Sequence, residues 1–192
     1  MDYDLAIESA PDSIPGGTGV LLIHPSTGET DRIDTDFLKI DTDRILVIST
    51  RTTAREVQQK LEYYDVDESK ADILDTLSVE RGYSRRSSER VHYVSAPDDL
   101  DGIVETTRQF LETTDGKRRI SLDSVTEMAY YADDDRALET VGKLLDLLDE
   151  YDAVGLFHLS EEVHDAEVVD SFKQLFDGTI SLDADGNVEC EF

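Results

Sequence analysis

Short aliphatic runs, spaced so that a helix fits between them, set the tightest limit on how this chain can fold. They are Val20-Leu21-Leu22-Ile23, Ile45-Leu46-Val47-Ile48, Val91-His92-Tyr93-Val94, Ile120-Ser121-Leu122 and Ala153-Val154-Gly155-Leu156-Phe157. Runs this short and this apolar suit strands buried on both faces. Between them the apolar period becomes helical. Residues 53–64 align Ala54, Val57, Leu61 and Tyr64, and residues 99–111 align Leu100, Ile103, Val104, Phe110 and Leu111 behind a capping Asp98. Residues 135–150 carry Leu138, Val141, Leu144, Leu145 and Leu148, and residues 165–176 carry Val168, Val169, Phe172 and Phe176. Strands alternating with helices imply right-handed crossovers and a mostly parallel sheet covered on both faces, an α/β three-layer sandwich. The chain closes on Thr179-Ile180-Ser181-Leu182, an Asp185-Gly186 turn and Asn187-Val188-Glu189-Cys190, the pattern of a C-terminal β-hairpin.

Charge narrows the function classes. With 45 acidic and 18 basic residues among 192, the formal net charge is −27. Such a surface repels a phosphate backbone and anionic headgroups, so no direct nucleic-acid or membrane partner is expected. No apolar stretch is long enough to span a bilayer, and Met1-Asp2-Tyr3-Asp4 lacks the basic and apolar parts of a signal peptide, so a cytoplasmic location is expected. The lone Cys190 excludes an intramolecular disulfide. The acid is spread along the chain, as on a solvated surface around a folded core. It resembles the composition of cytosolic proteins from extremely halophilic microbes, where salt screens the self-repulsion.

One domain over residues 15–192 is expected, preceded by an N-terminal extension, 1–14. Residues 65–90 read as a flexible excursion. Their Arg81-Gly82-Tyr83-Ser84-Arg85-Arg86-Ser87-Ser88 stretch concentrates scarce positive charge, either as a plain surface loop or as a docking loop for an acidic or phosphorylated partner.

Ligand sites in open α/β sheets lie at the carboxyl ends of strands. After the first apolar run comes Pro25-Ser26-Thr27-Gly28-Glu29-Thr30, similar to the end of a Walker A loop, with Gly28 and Thr30 in place. Ser26 stands where a glycine is expected and Glu29 where the phosphate-binding lysine is expected. A carboxylate there reverses the local charge beside a polyanion, and Asp31 adds to it. Asp123-Ser124, closing the run that begins at Arg118, resembles a Walker B segment, and Gly16-Gly17-Thr18-Gly19 resembles the family's glycine-containing entry to its first strand.

Together with the element order, these residues make 15–192 resemble a degenerate RecA/KaiC-like P-loop ATPase domain, of the archaeal KaiC and gas-vesicle-regulator-like group. The resemblance implies a RecA-like sandwich, and a family glutamate pair after the second strand. Here Thr50-Arg51-Thr52-Thr53 follow that strand, and no carboxylate appears before Glu56. It therefore implies a member that keeps the scaffold and has lost hydrolysis. The degenerate loop Ser26, Thr27, Gly28, Glu29 and Thr30 and the Walker B-like Asp123 and Ser124 form its rim. No catalytic residue and no cofactor is expected beyond weak nucleotide or magnesium. The expected role is regulation or assembly through a protein partner, an active KaiC-like ATPase or copies of itself. The alternative is a nucleotide-binding switch without hydrolysis. A third reading gathers His24, His158 and Asp123 at one rim as metal ligands, or pairs Ser26 or Ser124 with a histidine as a hydrolase. It places the Asp123 strand and the His158 strand on opposite sides of the first strand.

Overall fold

The structure is a computed structural model describing residues 1–26, 29–85 and 88–192. β1 (Asp2–Asp4) and β2 (Ser13–Pro15) form a small antiparallel ribbon. The main sheet contains β3 (Gly19–His24), β4 (Arg44–Ser49), β5 (Ala71–Asp75), β6 (Val91–Tyr93), β7 (Arg118–Asp123), β8 (Val154–Ser160), β9 (Gly178–Leu182) and β10 (Val188–Glu191). Their spatial order is β10-β9-β3-β8-β7-β4-β5-β6. Only β10 runs antiparallel to its neighbour, so the expected parallel sheet and closing hairpin are both present.

Six helices occur among the described residues: α1 (Asp31–Lys39), α2 (Ala54–Tyr63), α3 (Leu100–Thr113), α4 (Val125–Tyr131), α5 (Asp134–Glu150) and α6 (Ala166–Lys173). Alternate residues of each strand serve opposite faces. Leu21, Ile23, Leu46, Ile48, Leu122 and Phe157 pack under α3 to α6. Val20, Leu22, Ile45, Val47 and Leu156 pack under α1, α2 and the N-terminal segment.

Each of the four expected helices forms, with ends shifted by no more than three residues. The α3 cap is Asp99, which accepts from Gly102 N at 3.2 Å, one residue after the expected Asp98. The α2 start is a reciprocal capping box: Glu56 N donates to Thr53 Oγ1 at 3.4 Å, and Thr53 N donates to Glu56 Oε2 at 2.8 Å. At the entry to β3, Gly17 has φ +90 and makes the turn. A Cβ on Gly19 would come within 2.2 Å of Leu145 Cδ2, so that glycine lets α5 lie close against the sheet.

Three parts depart from the sequence reading. Residues 71–75, within the expected excursion, form β5, buried along its whole length. Its apolar run is only Ile73-Leu74, because flanking Asp72 and Asp75 hide the strand. Arg44 Nη2 donates to Asp72 Oδ1 at 2.6 Å. The Asp75 carboxylate accepts from the backbone N–H of Ala54, Leu77 and Ser78. The N-terminal residues are built into the fold: Tyr3, Ile7 and Ile14 are buried in the core. Finally, the second neighbour of β3 is β9, and β8 lies between β3 and β7. That corrects the expected placement of the Asp123 strand beside the first strand. The polar rim is consequently centred on His158.

Candidate functional site: a buried charge chain beneath the strand ends

On β7 the period of two puts Arg119, Ser121 and Asp123 on the α1 face, and the same period puts His158 there on β8 and His24 on β3. This polar stripe runs through the middle of an apolar layer. It is neutralised by charges from the helices above.

Asp34 of α1 is fully buried. Its Oδ2 accepts from Lys60 Nζ of α2 at 2.8 Å, and its Oδ1 accepts from His158 Nε2 at 2.9 Å and from Ser121 Oγ. On the far side of the imidazole, His158 Nδ1 lies 3.9 Å from Asp123 Oδ1, which in turn lies 3.6 Å from Arg51 Nη1. Lys60, Asp34, His158, Asp123 and Arg51 thus alternate in charge across α2, α1, β8, β7 and the loop after β4. Burial would raise the Asp34 pKa, but Lys60 and His158 outweigh it and hold the carboxyl far below its usual range. Burial would lower the Lys60 pKa, yet Asp34 and Asp123 push it above the usual lysine value. The same contest raises His158: burial opposes its charge, and the two flanking carboxylates outweigh burial.

His24 stands edge-on to His158, with ring centroids 5.7 Å apart. Its Nδ1 donates to the Pro25 carbonyl at 2.8 Å, and burial lowers its pKa. The structure therefore brings His24, His158 and Asp123 together. Even so, no group of three His, Cys, Asp or Glu side chains among the described residues is arranged to hold a metal ion. Two ligands of one zinc, each about 2.0–2.2 Å from the ion, would stand roughly 3.4 Å apart in a tetrahedron. The 3.9 Å gap between His158 and Asp123 exceeds that spacing.

Ser124 is committed to the backbone. Its Oγ caps α4 by accepting from Glu127 N at 3.3 Å, and its N–H donates to Thr50 Oγ1 at 2.7 Å. Ser26 pairs with Ser160, Oγ to Oγ at 2.9 Å, and donates to Glu162 Oε2 at 3.2 Å. Thr30 is buried at the start of α1 without a side-chain cap bond, and Glu29 is exposed. Thr27 and Gly28 of the expected loop lie outside the described residues.

A cleft of about 470 Å³ lies at the carboxyl ends of β4, β7 and β8, lined by Ser26, Thr50, Arg51, Arg81, Ser124 and Ser160 among others. Glu29 faces a separate cleft, with Arg32, Asp36 and Asp183.

The sequence reading did not single out Asp34, Lys60 or Arg51 as site residues of the rim. A signal for the first two was present. Lys60 lies three residues after Val57, on the α2 inner stripe, and Asp34 lies among Ile33, Phe37 and Leu38. Opposite charges at inward positions of two helices on one sheet face mark a buried pair.

The model of the Family of unknown function (DUF7090) matches residues 1–192. No curated protein matches the chain. Several solved structures share the fold. A KaiC-like protein of the hyperthermophilic archaeon Pyrococcus horikoshii OT3 aligns with TM-score 0.67 and 17% identity, over 98% of this chain and 83% of the other. An ATPase of the type III secretion system of pathogenic bacteria aligns with TM-score 0.64 and 13% identity, over 96% of this chain and 58% of the other. An uncharacterized Pyrococcus horikoshii protein, solved with an unknown peptide, aligns with TM-score 0.65 and 13% identity, over 92% and 83% of the two chains. The fold, a mostly parallel sheet flanked by helices with a C-terminal hairpin, is the RecA-like one of these neighbours. No helix among the described residues is long and apolar enough to cross a membrane.

Proposed function

The chain belongs to the Family of unknown function (DUF7090), and we propose that it is a non-catalytic RecA/KaiC-type domain that acts in regulation or assembly through contacts with other proteins. The observation that carries this reading is the environment of Asp123. In a working P-loop site the corresponding carboxylate orients the shell of a magnesium ion. Here it faces the Arg51 guanidinium at 3.6 Å and the His158 ring at 3.9 Å. A divalent cation would have to approach an arginine that already balances the carboxylate.

The loop adds to this, because Glu29 and Asp31 stand at the α1 start where a triphosphate needs a cation. The donor set does not fit magnesium nucleotide. The position after β4 carries Thr50 and Arg51, and Glu56 is spent on the α2 capping box. The neighbour of the same fold that holds a peptide agrees with a role in protein contact. The partners we infer are an active KaiC-like ATPase or further copies of the chain. At a net charge of −27, self-association requires screening salt.

The alternative is a switch that binds nucleotide without hydrolysing it, using the retained Thr30 and the central cleft. Titration calorimetry with ATP and magnesium in molar KCl, with a phosphate-release assay beside it, separates the two. The scaffold reading expects no heat at millimolar nucleotide and no turnover. Binding tighter than about 100 µM, roughly −5.5 kcal/mol, supports the switch. Turnover abolished by Asp123→Asn overturns both.

A further inference from the structure

Four clefts among the described residues follow the acidic balance of the chain, and a fifth does not. The cleft between α1 and the β9–β10 hairpin sets Glu8, Glu29, Asp36, Asp183 and Asp185 against Arg32. The one between α4 and the 161–163 turn carries Glu127, Asp134 and Asp165 and no cation. Those at the starts of α3 and α5 likewise hold more carboxylates than cations. The central cleft reverses the sign: Arg51 and Arg81 line it against the single carboxylate of Glu127, and hydroxyls supply most of its other polar lining.

Both arginines are partly exposed. Their side chains are 38% and 49% exposed. Arg51 Nη1 keeps an ion pair with Asp123 at 3.6 Å, longer than a hydrogen bond, so a bound anion would share its fork with that carboxylate. Arg81 Nε sits 3.9 Å from Glu80, the residue beside it in the chain. At one edge of the cleft the Ser26 and Ser160 hydroxyls bond each other at 2.9 Å, and Ser26 donates on to Glu162 at 3.2 Å. Two guanidinium forks with hydroxyls between strand ends match a tetrahedral oxyanion better than a carboxylate-poor apolar ligand.

We propose that this cleft binds a phosphoryl group, clamped between Arg51 and Arg81. The cations come from the turns after β4 and β5, so the site does not depend on the loop where Glu29 replaces lysine. It stands apart from the scaffold reading, and either can fail without the other. A phosphorylated side chain of a protein, free phosphate and a nucleotide all carry this chemistry, and the test distinguishes them.

The full chain is titrated calorimetrically with inorganic phosphate, O-phosphoserine and ADP, each with and without magnesium, at two KCl concentrations. Phosphate and phosphoserine are expected to bind without magnesium and more weakly at high KCl. Arg51→Gln and Arg81→Gln should each weaken binding about tenfold or more, the worth of one charged hydrogen bond. Arg55→Gln, an exposed α2 cation outside the cleft, should leave it unchanged. Phosphoserine binding tighter than phosphate points to a protein-borne group, and ADP binding tighter than both points to a nucleotide. No heat from any of the three at millimolar concentration overturns the proposal. So does wild-type affinity in both cleft variants, or an equal loss in Arg55→Gln. Both arginines are partly exposed, and circular dichroism of each variant confirms that the fold is retained.

Discussion

Replacing Lys60 by methionine removes an ammonium whose side chain is 14% exposed and leaves the Asp34 carboxylate, 0% exposed, short of its main counter-charge. Methionine keeps the stem's volume, so the packing of α2 on the sheet is preserved. Removing one partner of a buried pair costs about 3–5 kcal/mol, because the other charge stays buried. Asp34 retains His158 Nε2 at 2.9 Å and Ser121, which places Lys60→Met at the lower end, about 3 kcal/mol. For a chain of this length that is a melting-point drop of roughly 6–12 °C. Urea unfolding followed by circular dichroism in molar KCl measures it. The double variant Asp34→Leu/Lys60→Met removes both charges and should recover at least half of the loss. Lys173→Met, on the exposed face of α6, should change stability by no more than about 0.5 kcal/mol. A loss below about 1 kcal/mol for Lys60→Met, the range of surface pairs, refutes the buried-pair argument. A double variant less stable than Lys60→Met refutes it as well.

His158 should titrate above the ordinary histidine value of about 6.5, and His24 and His164 below it, in side-chain NMR across pH 5–9. For a raised histidine the stabilisation is complete below about pH 6.5 and is lost as pH rises through the folded pKa, so the stability gap between wild type and His158→Gln should shrink toward alkaline pH. A gap that widens would mean that His158 is neutral in the fold. In dilute salt the net charge of −27 acts across a Debye length of about 10 Å, against about 3 Å in molar KCl. The urea midpoint should therefore rise with KCl; a midpoint that falls would remove the case for salt adaptation.

The central strands were legible because burial on both faces leaves short uninterrupted aliphatic runs, and four helices because one apolar stripe recurs at the helical period. α1, α4 and β5 were not. In α1 and β5 the few apolar residues are interleaved with acids that periodicity counts as solvent-facing, and α4 is only seven residues long. Asp34, Asp72 and Asp75 are buried all the same, because Lys60, Arg44 and the α2 N-terminus meet them. Arg119 is the basic counterpart. It is fully buried, with its guanidinium 5.3 Å from the Tyr3 ring and 5.1 Å from the Phe37 ring, and burial lowers its pKa to about 10. Nothing local in Arg118-Arg119-Ile120 separates it from a surface cation.

At the candidate site, the sequence by itself determined which chemistry the loop can offer. The acidic Glu29 and Asp31 at the start of α1, and the lack of a carboxylate between β4 and Glu56, are facts of residue identity, independent of packing. Which charges meet was decided by the tertiary structure alone. Strand order put β8 between β3 and β7 and made His158 the centre of the rim. Helix docking brought Lys60 onto Asp34, and the loop after β4 brought Arg51 onto Asp123, pairs 26 and 72 residues apart in the chain. A charge's partner depends on distance in space and on the loss of water around it. A linear pattern carries neither, so which charges balance one another was settled only when the sheet and its two helices enclosed them.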